Sequence, residues 1–244
     1  MRLAWARPQE PRVADTDSWT FLKSLIEASP HKLDVAPPDA HAHEDLAALR
    51  ITDNSLMGAL ILNTGGVVVD GGWLRILGSN SDRLGRSLRG WNDAIGLTGK
   101  GLLLVADDAL GGYFVLNGGA LPGEPGGAYY FAPDTLEYEP LNCGHTALVQ
   151  FLLGPALADF YKDQRWAGWQ EMVATLDGDR CVFIHPPLWS AGPPIEERHK
   201  GTVPLAEIII LNGKALQEMR PGHGLVVPHP PQAAAAPHLP KEAF

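Results

Sequence analysis

Two adjacent carboxylates, Asp107 and Asp108, follow the apolar run Leu102–Ala106 and stand just before Gly111-Gly112. Neighbouring carboxylates can split their pKa values and divide acid and base roles, or hold a cation or a basic partner. Aspartates at the end of a strand also make turns, because their side chains accept from nearby backbone amides. The turn is the preferred reading of the pair, a binding role comes second, and catalysis last. Trp73 beside Arg75 in an alternating segment, and Trp91 in a polar stretch, are read as surface anchors, since large aromatics supply much of the energy of interfaces. The candidate binding residues are therefore Asp107, Asp108, Trp73, Arg75 and Trp91.

Other chemistry-bearing patterns fail on their own terms. Gly96-Leu97-Thr98-Gly99-Lys100-Gly101 superficially suggests a phosphate loop, but the first glycine position is Ala94 and Gly101 stands where a magnesium-binding hydroxyl is needed. Gly85-Arg86-Ser87-Leu88-Arg89 has Arg89 in place of the second glycine of a nucleophile elbow and no strand before it. His41 and His43 lie two apart, with Glu44 and Asp45 following, whereas two histidines on one helix face want a spacing of four. His145 and His185 show no spacing that suggests a ligand set. Cys143 and Cys181 stand alone, without the Cys-x-x-Cys spacing of zinc or thiol redox chemistry. No metal and no cofactor are expected.

The elements that must position the aspartates can be read from periodicity and turn chemistry. N-capping residues at 15–18 precede Trp19, Leu22, Leu25 and Ile26, predicting a helix near 17–28. Asp39 heads a second short helix carrying Leu46 and Leu49. Glycine-separated apolar runs follow at Met57–Leu62, Val67–Val69 and Trp73–Leu77, read as a three-strand meander. After the polar stretch 78–100, strands are expected at Leu102–Ala106, Tyr113–Leu116, Tyr129–Phe131 and Leu136–Tyr138. Helical spacing then returns from Leu148 to Tyr161, with a break at Gly154-Pro155, and again from Trp166 to Leu176. A strand Cys181–Ile184, a proline-rich loop through Pro194 and a last helix near 204–218 complete the pattern, with Asn212-Gly213 placed to shorten that helix. Strands in meander order with helices gathered at both ends predict an α+β fold, an antiparallel sheet packed against helices. The segments are read as an extension at 1–15, a single domain at 16–218, and a Pro/Ala-rich, disordered tail at 219–244.

Composition narrows the function class. The chain has 244 residues, a formal charge of −9 and 45% hydrophobic residues, enough to bury a sizeable core. An acidic average surface repels a phosphate backbone, and no segregated basic patch interleaved with aromatics offsets it, so no nucleic-acid partner is expected. The charged, Pro-containing start and the absence of a long apolar window predict a soluble cytoplasmic protein, with no membrane partner.

Several blocks carry a family resemblance. Residues 55–59 (SLMGA), 63–67 (NTGGV) and 72–79 (GWLRILGS), followed by Leu103–Asp108, Gly111–Phe114, Asn117–Ala120, Tyr129–Leu136 and Arg165–Trp169, resemble the bacterial family called domain of unknown function 2625 across roughly 16–218. The order of elements is more distantly similar to the SUKH superfamily, whose members include immunity proteins that bind and neutralise toxins. That likeness implies a SUKH-like fold and a non-catalytic binding role, with an acidic sheet surface and the loops around Asp107, Asp108 and Trp91 turned toward a basic protein such as a toxin. Replacing both aspartates is then expected to leave folding intact. Two alternatives stand beside it: a hydrolase-like enzyme pairing Asp107 or Asp108 with His185 or His145, and a self-associating module joined through its tryptophans. The sequence leaves the oligomeric state and the exposed face of the sheet open.

Overall fold

The computed structural model describes residues 17–219 and Pro228. The expectations for the 1–15 extension and for nearly all of the 219–244 tail lie outside the described residues.

The chain opens with helix α1 (Ser18–Glu27), capped by the Asp17 side chain accepting from the Thr20 amide. It continues through β1 (Leu33–Ala36), α2 (Ala42–Leu49), α3 (Leu56–Asn63) and β2 (Gly66–Val69). A 3-10 turn at Asp70–Gly72 leads into β3 (Leu74–Leu77), α4 (Leu88–Ala94), β4 (Leu102–Asp108), β5 (Tyr113–Asn117), β6 (Ala128–Ala132) and β7 (Glu137–Pro140). Helices α5 (His145–Leu153), α6 (Ala156–Tyr161) and α7 (Trp169–Ala174) follow, then the hairpin β8 (Arg180–His185) and β9 (His199–Pro204), and finally α8 (Leu205–Met219). Strands β1 to β7 form one antiparallel sheet in sequential order, and β8 pairs with β9 in a second sheet. The α+β class and the antiparallel meander are as expected.

Four elements differ from the expectation. Residues 57–62 are helical, because the Ser55 hydroxyl caps the Gly58 amide at 2.9 Å and Leu56 to Ile61 are buried on every side. A run buried all round has no period to separate helix from strand. The outer strand of the first meander is instead β1, with Leu33 opposite Val69 and Ala36 opposite Gly66. The polar stretch contains α4, capped by Ser87 and burying Leu88, Trp91 and Asn92. Strand β9, whose residues are only half-buried or exposed, has no apolar alternation to announce it. Gly154-Pro155 does separate two helices, whereas Asn212 and Gly213 lie buried within a continuous α8.

The sheet has no bare central face. Every residue of β2 and β3 is buried, and β4 is buried at all positions but one. Helix α4 covers β4 on one side: the Asn92 side chain donates to the Leu104 carbonyl and accepts from the Leu104 amide, each at 2.8 Å. Helix α6 packs on the neighbouring strands, its Phe160 ring against Phe114 of β5 and Tyr130 of β6. The centre of the sheet is therefore covered, and acidic side chains of the sheet reach water on its outer strands, at Asp34 on β1 and Glu137 on β7. No helix among the described residues is long and apolar enough to cross a membrane.

Candidate functional site

Asp107 sits opposite Arg75 across the β3–β4 ladder, so their side chains share a face. Arg75 Nε donates to Asp107 Oδ1 at 2.6 Å. Arg86, from the loop before α4, reaches the same carboxylate, with Nη2 donating to Oδ1 at 2.9 Å and Nη1 to Oδ2. Arg75 also donates to the Asp108 carbonyl at 2.9 Å and to the Arg180 carbonyl at 2.5 Å, while Arg86 Nε donates to the Gly178 carbonyl at 2.9 Å. Both guanidinium groups are thereby fixed to the start of β8.

Asp108 points to the opposite face and has a different shell. Its Oδ1 accepts from the Leu110 and Gly112 amides, each at 2.9 Å, and its Oδ2 from the Tyr130 hydroxyl at 2.6 Å and the Tyr161 hydroxyl at 3.0 Å. Burial raises the Asp108 pKa, opposed by those four donors. Burial likewise lowers that of Arg86, opposed by Asp107. Two arginines thus share the Asp107 carboxylate on one face, while the Asp108 carboxylate is held on the other by amides and tyrosine hydroxyls. A Cβ on Gly112 would meet both the Tyr130 hydroxyl and the Asp108 carboxylate, which is why a glycine stands there.

The five candidate binding residues are all buried. Asp107, Asp108 and Trp73 are 0% exposed, Arg75 2% and Trp91 7%. Trp73 packs edge-on against Trp169 and Tyr161 with centroids at 4.9 and 5.5 Å, and Trp91 lies under the Arg86 guanidinium at 4.5 Å. Direct presentation of these side chains to a partner is thus corrected: a desolvated ion pair and core indoles are not surface anchors. The expectation that the two aspartates can be replaced without harm to folding falls with it.

The acid–base pairing loses its basis for the same reason. The oxygens of Asp107 and Asp108 are taken by arginines, tyrosines and backbone amides rather than by His145 or His185. Burial pushes the His145 imidazole down to about 4 and the Cys181 thiol up to about 12, so neither is primed as base or nucleophile at neutral pH. His41 is exposed and hydrogen-bonded to Asp39 at 2.9 Å, and among the described residues no three metal-ligating side chains converge.

What Arg75 and Asp108 do is position a surface. Asp108 draws the 109–112 turn around its Oδ1, placing Leu110 at its tip. Beside it, the Val182 amide donates to the Ala109 carbonyl at 2.7 Å, and Arg75 holds the Arg180 carbonyl, so β8 is moored to the end of β4. Gly111, at φ +80°, lets the turn approach the Ile208 side chain of α8, where a Cβ would sit 2.5 Å from it. The result is a shallow, open, apolar groove lined by Leu110, Phe183, Leu188, Trp189, Ile208 and Leu211. Leu211 is 41% exposed, a large apolar side chain left in water at the groove wall. The sequence contained Trp189 among its tryptophans, but nothing in one dimension joins it to Leu211.

The family model described as "Protein of unknown function DUF2625" matches residues 12–208. An uncharacterised Escherichia coli K12 protein, YbfG, is 34% identical over 195 residues, covering 80% of this chain and 89% of its own length. An uncharacterised Haemophilus influenzae protein is 37% identical over 192 residues, covering 76% of this chain and 84% of its own. No solved structure matches the chain.

Proposed function

The chain belongs to the DUF2625 family of proteins of unknown function, and within it we propose a non-catalytic protein-binding module of immunity-protein type, acting on a basic protein partner. The observation that carries this reading is the division of labour around Asp108. Its carboxylate is spent entirely on internal donors, and what it organises is an apolar groove at the surface. A formal charge of −9 favours encounter with a basic protein, because complementary potentials raise association rates. The resemblance to the SUKH superfamily read from the sequence implies toxin neutralisation, as an analogy of fold alone.

The test is affinity capture with the full chain as bait, followed by reconstitution with the purified partner. A stoichiometric, basic protein whose own toxicity or activity falls on binding supports the reading. Turnover of a small molecule by the pure chain, with no stoichiometric partner, overturns it in favour of an enzyme.

A further inference from the structure

We propose that His185 and His199, facing each other at the open end of the β8–β9 hairpin, form a surface site for one divalent transition-metal ion of the copper, nickel and zinc class, with water completing its coordination. Their spacing along the chain suggests no ligand set; the hairpin register supplies one.

The two residues are register partners, the last pair of the ladder before the connecting loop. The Val182 amide donates away from β9, to the Ala109 carbonyl, whereas the Leu205 amide donates to the Asp179 carbonyl across the hairpin. The odd-numbered residues of β8 therefore carry the ladder bonds to β9, which makes His185 and His199 a hydrogen-bonded pair with Cα atoms about 5.5 Å apart and side chains on one face. Both are exposed. An imidazole nitrogen binds zinc at about 2.0–2.1 Å, so rotation of two solvent-facing side chains between staggered wells brings one nitrogen from each ring to the same ion. The same face is open beside the pair. Gly201 stands opposite Phe183 there, and a Cβ on it would meet nothing within 4 Å, which leaves space for an ion and its waters. The His185 ring stands beside Phe183, with centroids 6.1 Å apart.

The cations on either side of His199 are engaged elsewhere. Alternation turns Lys200 to the opposite face, where its Nζ donates to the carbonyls of Ile195 at 2.6 Å, Glu196 at 3.1 Å and Arg198 at 2.9 Å. Arg198 is turned into the loop and donates to the carbonyls of Pro193 at 2.7 Å, Pro186 at 3.0 Å, Pro187 at 2.5 Å and Ser190 at 3.2 Å. Its contacts with Pro186 and Pro187 join the residue before His199 to the two residues after His185. The strand ends are thus tied where the histidines stand, and a donor pair with a fixed backbone loses less freedom on binding than two independent side chains. Imidazole suits copper, nickel and zinc, whereas magnesium and calcium want oxygen ligands. Two nitrogens make an open site, with copper bound most tightly by the general order of divalent affinities.

The experiment titrates the full chain with Cu²⁺, Ni²⁺, Zn²⁺ and Mg²⁺ in a buffer that does not chelate them, beside His185→Asn, His199→Asn and the double variant. Calorimetry measures affinity, and amide spectra of the isotopically labelled chain, with Cu²⁺ added below one equivalent, locate the ion by paramagnetic broadening. The expected result is broadening that begins at 183–185 and 199–201, and Cu²⁺ affinity above that for Ni²⁺ and Zn²⁺ with no response to Mg²⁺. Either single substitution should lower Cu²⁺ affinity at this site at least about tenfold, and the double variant should lose little more, because a chelate is broken by removing either arm. Both side chains are exposed, so thermal unfolding without metal should be unchanged in the variants.

Broadening centred on His41 and His43, or on the histidines beyond residue 219, with 183–185 and 199–201 unaffected, overturns the proposal and gives the ion to those side chains. So does Cu²⁺ affinity retained in both single variants. Two small losses that simply add in the double variant would show independent imidazoles in place of a chelate, and overturn it as well. The broadening pattern of the unaltered chain decides the location without any substitution, so a variant that folds poorly leaves the test intact.

Discussion

Arg75 and Asp107 are register partners on β3 and β4, and their side chains meet at 2.6 Å with 2% and 0% of their surfaces in water. A desolvated pair of this kind adds little net stability over apolar neighbours of equal volume, yet it is costly to break, because removing one partner strands the other's charge.

Asp107→Asn is therefore expected to destabilise the chain by about 3–5 kcal/mol, since it leaves Arg75 and Arg86 without their carboxylate. Asp108→Asn should cost less. The amide oxygen keeps the two backbone donors, and the Tyr130 and Tyr161 hydroxyls can rotate to accept from the new amide group. Urea denaturation of both variants measures the difference, and equal losses would show that the two aspartates are not held in the distinct shells described.

Much of the architecture around this pair was legible in one dimension. The helices near 17–28 and 204–218 declare themselves by caps and spacing, and the strands from Leu102 to Tyr138 by turn residues between apolar runs. Residues 57–62 did not, because burial on all sides erases the period. Asp107 and Asp108 were found as a pair, but Asp-Asp before Gly-Gly reads the same whether the carboxylates face water or two arginines. The available hint was Arg75 itself, a charge between Trp73-Leu74 and Ile76-Leu77, which has to find a buried anion. Arg86 gave no such hint, since it reaches Asp107 from an irregular loop. The groove was least legible, because Trp189 and Leu211 meet only once the hairpin folds onto α8.

Acid should weaken the fold through His145. Burial lowers its folded pKa to about 4 from the ordinary 6.5, so between those values the unfolded chain binds the extra proton. Stability then falls as pH drops from about 6.5 toward 4, by an amount on the order of 1–3 kcal/mol. His145→Gln should flatten that part of the curve relative to the original chain. Identical pH profiles would remove the neutral, half-buried imidazole from the account.

Alkali should act through Tyr138, whose hydroxyl is pushed up to about 12 by burial beside Tyr113 at 3.0 Å. Because the unfolded phenol ionises near 10, the unfolded chain loses its proton first, and stability falls as pH rises from about 10 toward 12. Tyr138→Phe should lessen the loss, measured by thermal unfolding across that range.

The Cys181 thiol, buried and raised to about 12, should react with an aromatic disulfide reagent only as fast as the chain opens. In a Cys143→Ser background, the labelling rate should rise with urea in step with unfolding. Rapid labelling of the native chain would show that β8 is not sealed against β4 and α8.

The most direct measurement is hydrogen–deuterium exchange of the full chain with and without its purified, captured partner. Binding at the groove predicts new protection confined to residues 182–198 and 205–219, with the already buried 105–114 segment unchanged. Protection centred on α4 around Trp91, or at the 105–114 segment without the groove, would contradict the assignment and return the binding role to the residues that hold the groove in place.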